Sequence, residues 1–234
     1  LSKEIQNMSL GLKSQIEQLE KFSADVSHEL KNPLTSLQSA IDLIDSNNID
    51  EDKKNLLINN IKNDLKRMNQ LITDISNFTR LKAEIELEKN EYIKLNNFFD
   101  EIPEIFTNNN KEVKLIFIKH SENFEILANK NKLIQVFINL IENSISLSPD
   151  SSKILIQLDT VDEKFISLRF YDQGKGVDLK DSEKIFERFY SDRQENIKNH
   201  TGLGLSIARE IIEHMHGSIS LDKSDKSDYP GACF

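Results

Sequence analysis

The sequence predicts an α+β protein in which a long helical hairpin, paired with a second copy as a four-helix bundle, precedes an α/β sandwich. The first observation is that apolar residues recur at alternating spacings of three and four within residues 5–44 and 57–85. Such spacing is typical of a helix-bundle seam. The second observation is a change of composition after about Leu87, beyond which short strand-like runs alternate with helical ones. Mixed runs of this kind predict helices packed on a sheet.

Composition limits the class of protein. The 234 residues allow one or two domains, and 38% hydrophobic with 29% charged residues is ordinary for a soluble protein. The net charge of -9 argues against a nucleic-acid partner, because phosphate binding requires a basic surface. The single cysteine, Cys233, excludes an internal disulfide and fits a reducing compartment. We expect no signal peptide in these residues, and no window approaches the ~20 apolar residues of a membrane span.

The first helix is predicted over residues 5–44, and it carries a histidine on its solvent-exposed face. His28 follows the seam residue Val26 by two positions, which places it about 200° around the helix and therefore away from the seam. Glu29 comes next, and Pro33 lacks the N–H that would bond the Glu29 carbonyl. A lone histidine of this kind is usually a solvated surface residue, so its function depends on the surrounding motif.

The second helix follows a polar turn at residues 46–50, with Asp50 as a possible N-cap. One antiparallel hairpin buries a single stripe on each helix and leaves apolar surface uncovered. We therefore expect a homodimer, the alternative being that the hairpin docks on the downstream domain. Because residues 1–8 already show the helical apolar pattern, we expect them to be the end of a signalling helix that continues upstream.

The second part of the chain predicts strands at residues 114–118, 153–161, 165–172 and 218–221, with a short terminal strand at Cys233. Helices are expected at residues 95–106, 133–146 and 205–214. The middle helix carries Asn139 and Asn143 one turn apart, on a stripe separate from its apolar face. Stacked amides offer neutral oxygen ligands to a hard cation such as Mg²⁺, although two surface asparagines are the commoner arrangement.

Two glycine motifs follow the asparagine helix. Asp172, Gly174 and Gly176 come directly after an apolar strand, where a carboxylate can accept a hydrogen bond from the amine of adenine and the glycines let the backbone approach the base. In isolation this motif also describes a common turn. Residues 202–204, Gly202-Leu203-Gly204, open a helix whose N-terminal amides favour an anion such as a triphosphate.

These motifs, in this order, resemble those of the sensor histidine kinases of two-component systems. Residues 22–37 resemble the phospho-acceptor box, residues 135–143 the asparagine box, and the two glycine motifs the glycine boxes of the nucleotide site. The resemblance implies a dimerisation and histidine phosphotransfer domain at residues 9–88. It also implies a catalytic ATP-binding domain, of the gyrase, chaperone and histidine-kinase type, at residues 89–234.

The resemblance also implies a role for each site residue. His28 would be the phosphorylated residue, Glu29 would orient its ring or take its proton, and Asn32 would orient a water that dephosphorylates the partner. Asn143 would hold Mg²⁺ on the phosphates of ATP, with Asn139 supporting it.

The segment at residues 177–201 corresponds to the ATP lid of the family. Arg188 and Arg193 are its candidate phosphate contacts, with Arg193 slightly favoured, and the alternative for each is a solvated surface charge. The sequence departs from many relatives at Ser146, where they place Lys or Arg, and at His200, where they place glycine. Residues 146–149, 191–193 and 200–204 resemble ChvG-type envelope-sensing kinases in particular.

The resemblance further implies partners and a location. The expected partners are a second copy, a response-regulator receiver domain and an upstream membrane sensor region, with the chain as a cytoplasmic fragment of a protein of the bacterial inner membrane. Gyrase-like and chaperone-like ATPases are a competing class, but they use a Glu base where this helix has Asn139. A dimeric scaffold that only senses nucleotide is a third interpretation, and intact His28, Asn143 and Asp172 count against it.

Overall fold

The structure, a computed structural model, describes residues 2–46, 49–85, 89–106, 113–120, 124–161, 165–190 and 201–234. The chain divides into two compact units. One contains Leu1–Asn77 together with Lys198–Thr201, and the other contains Phe78–Ile197 together with Gly202–Phe234. Among the described residues, no helix combines the length and the apolar composition that crossing a bilayer requires.

The first unit is built on the predicted helical hairpin. Helix α1 spans Ser2–Asp45 and continues through Pro33, and helix α2 spans Glu51–Ile85. Asp50 caps α2, because its Oδ1 accepts a hydrogen bond from the Lys53 amide at 2.8 Å. The buried side chains of the hairpin in this unit are Phe22, Pro33, Leu37, Ala40 and Leu71.

The hairpin also leaves apolar side chains exposed, as the sequence predicted. Leu34, Ile41, Leu65 and Ile72 are 49–55% exposed, and the upstream seam residues Ile16 and Leu19 are also exposed. A helix surface with a second apolar stripe of this kind is available to another helix pair.

The second unit is an α/β sandwich. Its main sheet has the strand order β2-β4-β5-β7-β6, with β2 (Lys114–Lys119) parallel to β4 (Lys153–Thr160) and the other neighbours antiparallel. Strand β5 spans Ile166–Tyr171, and the edge strands β6 and β7 span Asp222–Lys223 and Ala232–Cys233. A separate two-stranded sheet pairs β1 (Glu91–Lys94) with β3 (Glu125–Ala128).

The helices α3 (Leu95–Ile105) and α4 (Lys130–Leu147) pack on one face of the main sheet. Phe137 of α4 lies at the centre of this core and makes edge-to-face contacts with Phe98, Phe99 and Phe170, at centroid distances of 5.1–5.7 Å. Such contacts between aromatic rings stabilise a core beyond the burial of their area. Helix α5 (Gly204–His214) completes the helical layer beside α4.

One predicted strand is wrong. The sequence predicted a strand at residues 218–221, but the paired residues are Asp222 and Lys223, opposite Cys233 and Ala232. The alternation that suggested a strand reflects the burial of Leu221, which lies just before the paired residues. Strands β1 and β3 were not predicted, because four-residue strands with mixed polar patterns give little periodic signal.

Candidate active site

The first candidate site is on α1, around His28. The imidazole is 63% exposed, as its position off the seam predicted. Glu29 Oε1 lies 3.6 Å from His28 Nδ1, and Asn32 Nδ2 lies 3.5 Å from the same nitrogen. Both neighbours named by the sequence analysis therefore approach Nδ1, on the side of the ring opposite Nε2.

Arg67 on α2 is a further member of this site, which the sequence analysis missed. Its Nη2 donates to Glu29 Oε2 at 3.2 Å, and both side chains are largely buried, 29% exposed for Arg67 and 17% for Glu29. Charge-assisted bonds of this kind fix the orientation of a carboxylate. No motif marks Arg67, because its proximity to Glu29 depends on the register of two helices.

The second candidate site begins with the asparagine pair on α4. Helix α4 is capped by Asn129, whose side chain accepts from the Lys132 amide at 3.1 Å. Asn139 Nδ2 is buried and has no hydrogen-bond partner among the described residues. Asn143 is partly buried, and its carbonyl accepts a bond from the Ser146 hydroxyl at 2.7 Å. Ser146 therefore directs its hydroxyl into the helix backbone.

Asp172 is the central acceptor of this second site. Its Oδ1 accepts from the backbone amides of Gly174 and Ala232, each at 2.9 Å. Its Oδ2 is buried and has no partner among the described residues. Burial raises the pKa of the Asp172 carboxyl above its ordinary value, although the two backbone bonds oppose the shift. A buried acceptor without a partner can accept a hydrogen bond from a ligand group such as the exocyclic amine of adenine.

Three glycines allow the backbone to close around Asp172. A Cβ on Gly174 would lie 2.8 Å from the Leu147 carbonyl oxygen, and Gly176 has a φ of +74°. Gly231, which the sequence analysis missed, lies so close that a Cβ would collide with Asp172 Oδ1. These contacts bring the end of β5, the end of α4 and the β7 strand to one place.

The glycine turn, residues 202–204, lies beside the asparagine helix. Gly202 has a φ of +71°, and a Cβ there would lie 2.6–2.8 Å from backbone atoms of Phe189 and Tyr190. A Cβ on Gly204 would lie 3.9 Å from the Asn139 side chain. Leu203 is fully buried and precedes α5. The amides at this helix N-terminus and the unpartnered Asn139 amide fit the phosphates of a nucleotide.

Some expected contacts are elsewhere or outside the described residues. Arg193 and His200 lie outside the described residues. The Arg188 guanidinium lies 4.6 Å from the centre of the Phe78 ring, within the second unit. In the described part of the chain, no group of three or more His, Cys, Asp or Glu side chains could hold a metal ion.

Two family models match this chain. Residues 18–84 match the His Kinase A (phospho-acceptor) domain. Residues 128–234 match the Histidine kinase-, DNA gyrase B-, and HSP90-like ATPase.

Curated relatives match nearly the whole chain. Sensor protein ChvG of Rhizobium meliloti is 35% identical over 94% of this chain and 40% of its own length. Sensor protein ChvG of Agrobacterium fabrum is 34% identical over 94% of this chain and 38% of its own length. Sensor histidine kinase YclK of Bacillus subtilis is 30% identical over 91% of this chain and 46% of its own length. The chain therefore spans less than half the length of these relatives.

Solved structures share the fold. Histidine kinase ThkA, in its complex with response regulator protein TrrA, has a TM-score of 0.70 and covers 95% of this chain and 62% of that chain at 24% identity. The isolated catalytic domain of ThkA has a TM-score of 0.53 at 26% identity, and covers 63% of this chain and 93% of that chain.

Proposed function

Because this chain belongs to the sensor histidine kinases of two-component systems, of the ChvG type, we propose that it passes the γ-phosphoryl group of ATP to His28 and then to an aspartate of a response-regulator receiver domain. One observation carries this proposal: an exposed His28 imidazole has the Glu29 carboxylate 3.6 Å from its Nδ1. An exposed ring is open to a donor and then to an acceptor protein. A carboxylate at Nδ1 favours the tautomer in which Nε2 is the nucleophile.

The nucleotide would occupy the second site. The adenine amine would donate to Oδ2 of Asp172, while Gly174 and Gly176 let the backbone approach the base. The phosphates would lie at the amides of the glycine turn, where the α5 dipole favours negative charge. Mg²⁺ would neutralise charge on the phosphates, with Asn143 as its protein ligand and Asn139 beside it. Arg193 stays the predicted lid cation.

The chemical step is an in-line displacement on phosphorus. The Nε2 lone pair of His28 forms the new N–P bond while the bond to the leaving oxygen of ADP breaks. The ring becomes more acidic as Nε2 is phosphorylated, and Glu29 stabilises or accepts the proton at Nδ1. Transfer to the receiver aspartate then breaks the N–P bond, forms an acyl phosphate and returns His28 to its starting state.

We propose further that the working unit is a homodimer and that the chain is the cytoplasmic part of a longer membrane sensor. Exposed apolar residues on both helices of the hairpin support the dimer. The greater length of relatives that are called sensor proteins supports the upstream region. The predicted domain boundaries at residues 8/9 and 88/89 stay predictions.

The test is phosphorylation with γ-labelled ATP. Wild-type protein should acquire label that is stable in base and labile in acid, as a phosphoramidate is, and His28→Ala should acquire none. His28→Ala should still bind ATP, because the two sites share no residue. Acid-stable label, or label that persists in His28→Ala, would refute the assignment.

A further inference from the structure

Arg209 on α5 joins two parts of the second unit that border the glycine turn. Its Nη2 donates to Glu183 Oε2 at 2.9 Å, and its guanidinium lies 4.9 Å from the centre of the Phe186 ring. A third contact, from Nε to Glu213 Oε1 at 3.0 Å, stays within α5 itself. Arg209 therefore fixes residues 183–189, which we call the anchor segment, against the helix that starts at Gly204.

The anchor segment in turn holds the glycine turn. Phe186 is buried and makes an edge-to-face contact with Phe234, with centroids 6.3 Å apart. Three residues later, the Phe189 amide donates to the Gly202 carbonyl at 2.9 Å. Phe189 has a φ of +60° and Gly202 a φ of +71°, so both backbones adopt the left-handed conformation at this junction. The conformation of Gly202 thus depends on the position of the anchor segment.

We propose that Arg209 is a positioning residue for the phosphate chain of the nucleotide. By holding the anchor segment against α5, it keeps the Phe189–Gly202 bond intact and the amides of the glycine turn in the orientation that binds phosphate. Arg209 itself lies five residues into α5, so it acts through the anchor segment and not by contact with the nucleotide. The inference rests on the proposed ATP site.

Stability alone is a weak explanation for the Arg209–Glu183 ion pair. The Glu183 side chain is 75% exposed, and an ion pair with so exposed a carboxylate contributes little to the free energy of folding. The pair does restrict where the anchor segment lies. Preorganisation of this kind acts on ligand affinity, because the ordering cost is met before the ligand arrives.

The test compares two ligands that share the adenine pocket and differ in phosphate. We expect Arg209→Ala to weaken the binding of AMP-PNP about tenfold while changing the affinity for adenosine less than about twofold. Glu183→Ala should lower the ratio of AMP-PNP affinity to adenosine affinity in the same direction by a smaller factor. Because this change removes only an exposed carboxylate, we expect the variant to fold. Glu213→Ala is the matched control, because it removes the contact within α5 and leaves the anchor segment held.

A double variant identifies the route. If Arg209 acts through Glu183, adding Glu183→Ala to Arg209→Ala should cause no further loss of AMP-PNP affinity. Equal losses for adenosine and AMP-PNP, or additive losses in the double variant, would overturn the positioning role. Failure of the wild-type protein to bind either ligand would instead refute the proposed ATP site.

Discussion

The Nη2 atom of Arg67 lies 3.2 Å from Oε2 of Glu29, and Oε1 of the same carboxylate lies 3.6 Å from Nδ1 of His28. Three charged or titratable groups therefore form a continuous line from α2 to the exposed ring on α1. The Arg67–Glu29 contact lies in a largely buried position, where side-chain motion is restricted and water screens less. Arg67 of α2 therefore fixes the orientation in which the Glu29 carboxylate approaches His28.

We predict that Arg67→Ala slows phosphorylation of His28 about tenfold or more, because Glu29, which in the proposed mechanism stabilises or accepts the Nδ1 proton, would no longer be oriented. The KM for ATP should hardly change, since Arg67 is not part of the nucleotide site. Initial rates of label transfer, taken over a range of ATP concentrations, measure the rate of phosphorylation and the KM for ATP. Lys66→Ala is the matched control, because it removes a positive charge from the neighbouring exposed position of α2. A wild-type rate in Arg67→Ala would mean that Glu29 needs no partner.

Asp172 should show opposite effects on binding and on stability. Asp172→Asn keeps the two backbone bonds to Oδ1 but replaces the open acceptor by a donor, so ADP affinity should fall by about 1–3 kcal/mol. The same change removes a buried charge, so the nucleotide-free protein should melt at a higher temperature at neutral pH. Calorimetric titration and thermal melting measure the two effects. Asp228→Asn, at an exposed position, should change neither.

The pH dependence of this stability follows from the direction of the pKa shift. The folded protein raises the pKa of Asp172 above 3.8, so it binds the proton more tightly than the unfolded chain. The contribution of Asp172 to wild-type stability should therefore decrease as pH rises from 3.8 through the folded-state pKa, and the stabilising effect of Asp172→Asn should shrink as pH falls through that window. If the difference in stability between wild type and Asp172→Asn does not change with pH, Asp172 is not the group that causes the pH dependence.

Local patterns predicted the residues that belong to one helix or one turn, and they missed contacts made across the fold. The outward position of His28 follows from helix geometry alone, and the order of the asparagine and glycine motifs indicated one nucleotide site. Arg67 could not be predicted, because its contact with Glu29 spans 38 positions. The Ala232 amide that binds Asp172 is 60 positions away, and no periodicity records it.

Gly202→Ala should damage both the nucleotide site and the fold. The left-handed φ and the contacts of 2.6–2.8 Å with the Phe189 and Tyr190 backbone leave no room for a Cβ. The junction must shift, so AMP-PNP affinity should fall at least about tenfold, with a stability loss of about 1–2 kcal/mol. Gly11→Ala is the control: nothing lies within 4 Å of a Cβ there, and alanine favours a helix. Equal nucleotide affinities in both variants would contradict the role of the turn.

The chain should be a dimer in solution through the hairpin. Ile72 on α2 is 54% exposed, and replacing it by Glu would bury a charge in the interface and favour the monomer. Light scattering at tens of micromolar should report a dimer for wild type and a smaller mass for Ile72→Glu. Ile105→Glu is the control, since Ile105 is 47% exposed at the end of α3 in the other unit. A monomeric wild type would exclude the bundle.

Asn32→Ala should separate two of the proposed activities, the phosphorylation of His28 and the dephosphorylation of the response regulator. Its Nδ2 lies 3.5 Å from His28 Nδ1 on the same face of α1, where an amide can orient a water but cannot serve as a base. In the proposed mechanism, transfer from ATP depends on Glu29 and on the nucleotide site, neither of which Asn32 supplies. Asn32→Ala should therefore autophosphorylate at nearly the wild-type rate while dephosphorylation of the regulator falls about tenfold or more. The decisive measurement is the decay of purified phospho-regulator with ADP-bound enzyme. Equal decay with wild type and Asn32→Ala would leave Asn32 as a surface residue before Pro33.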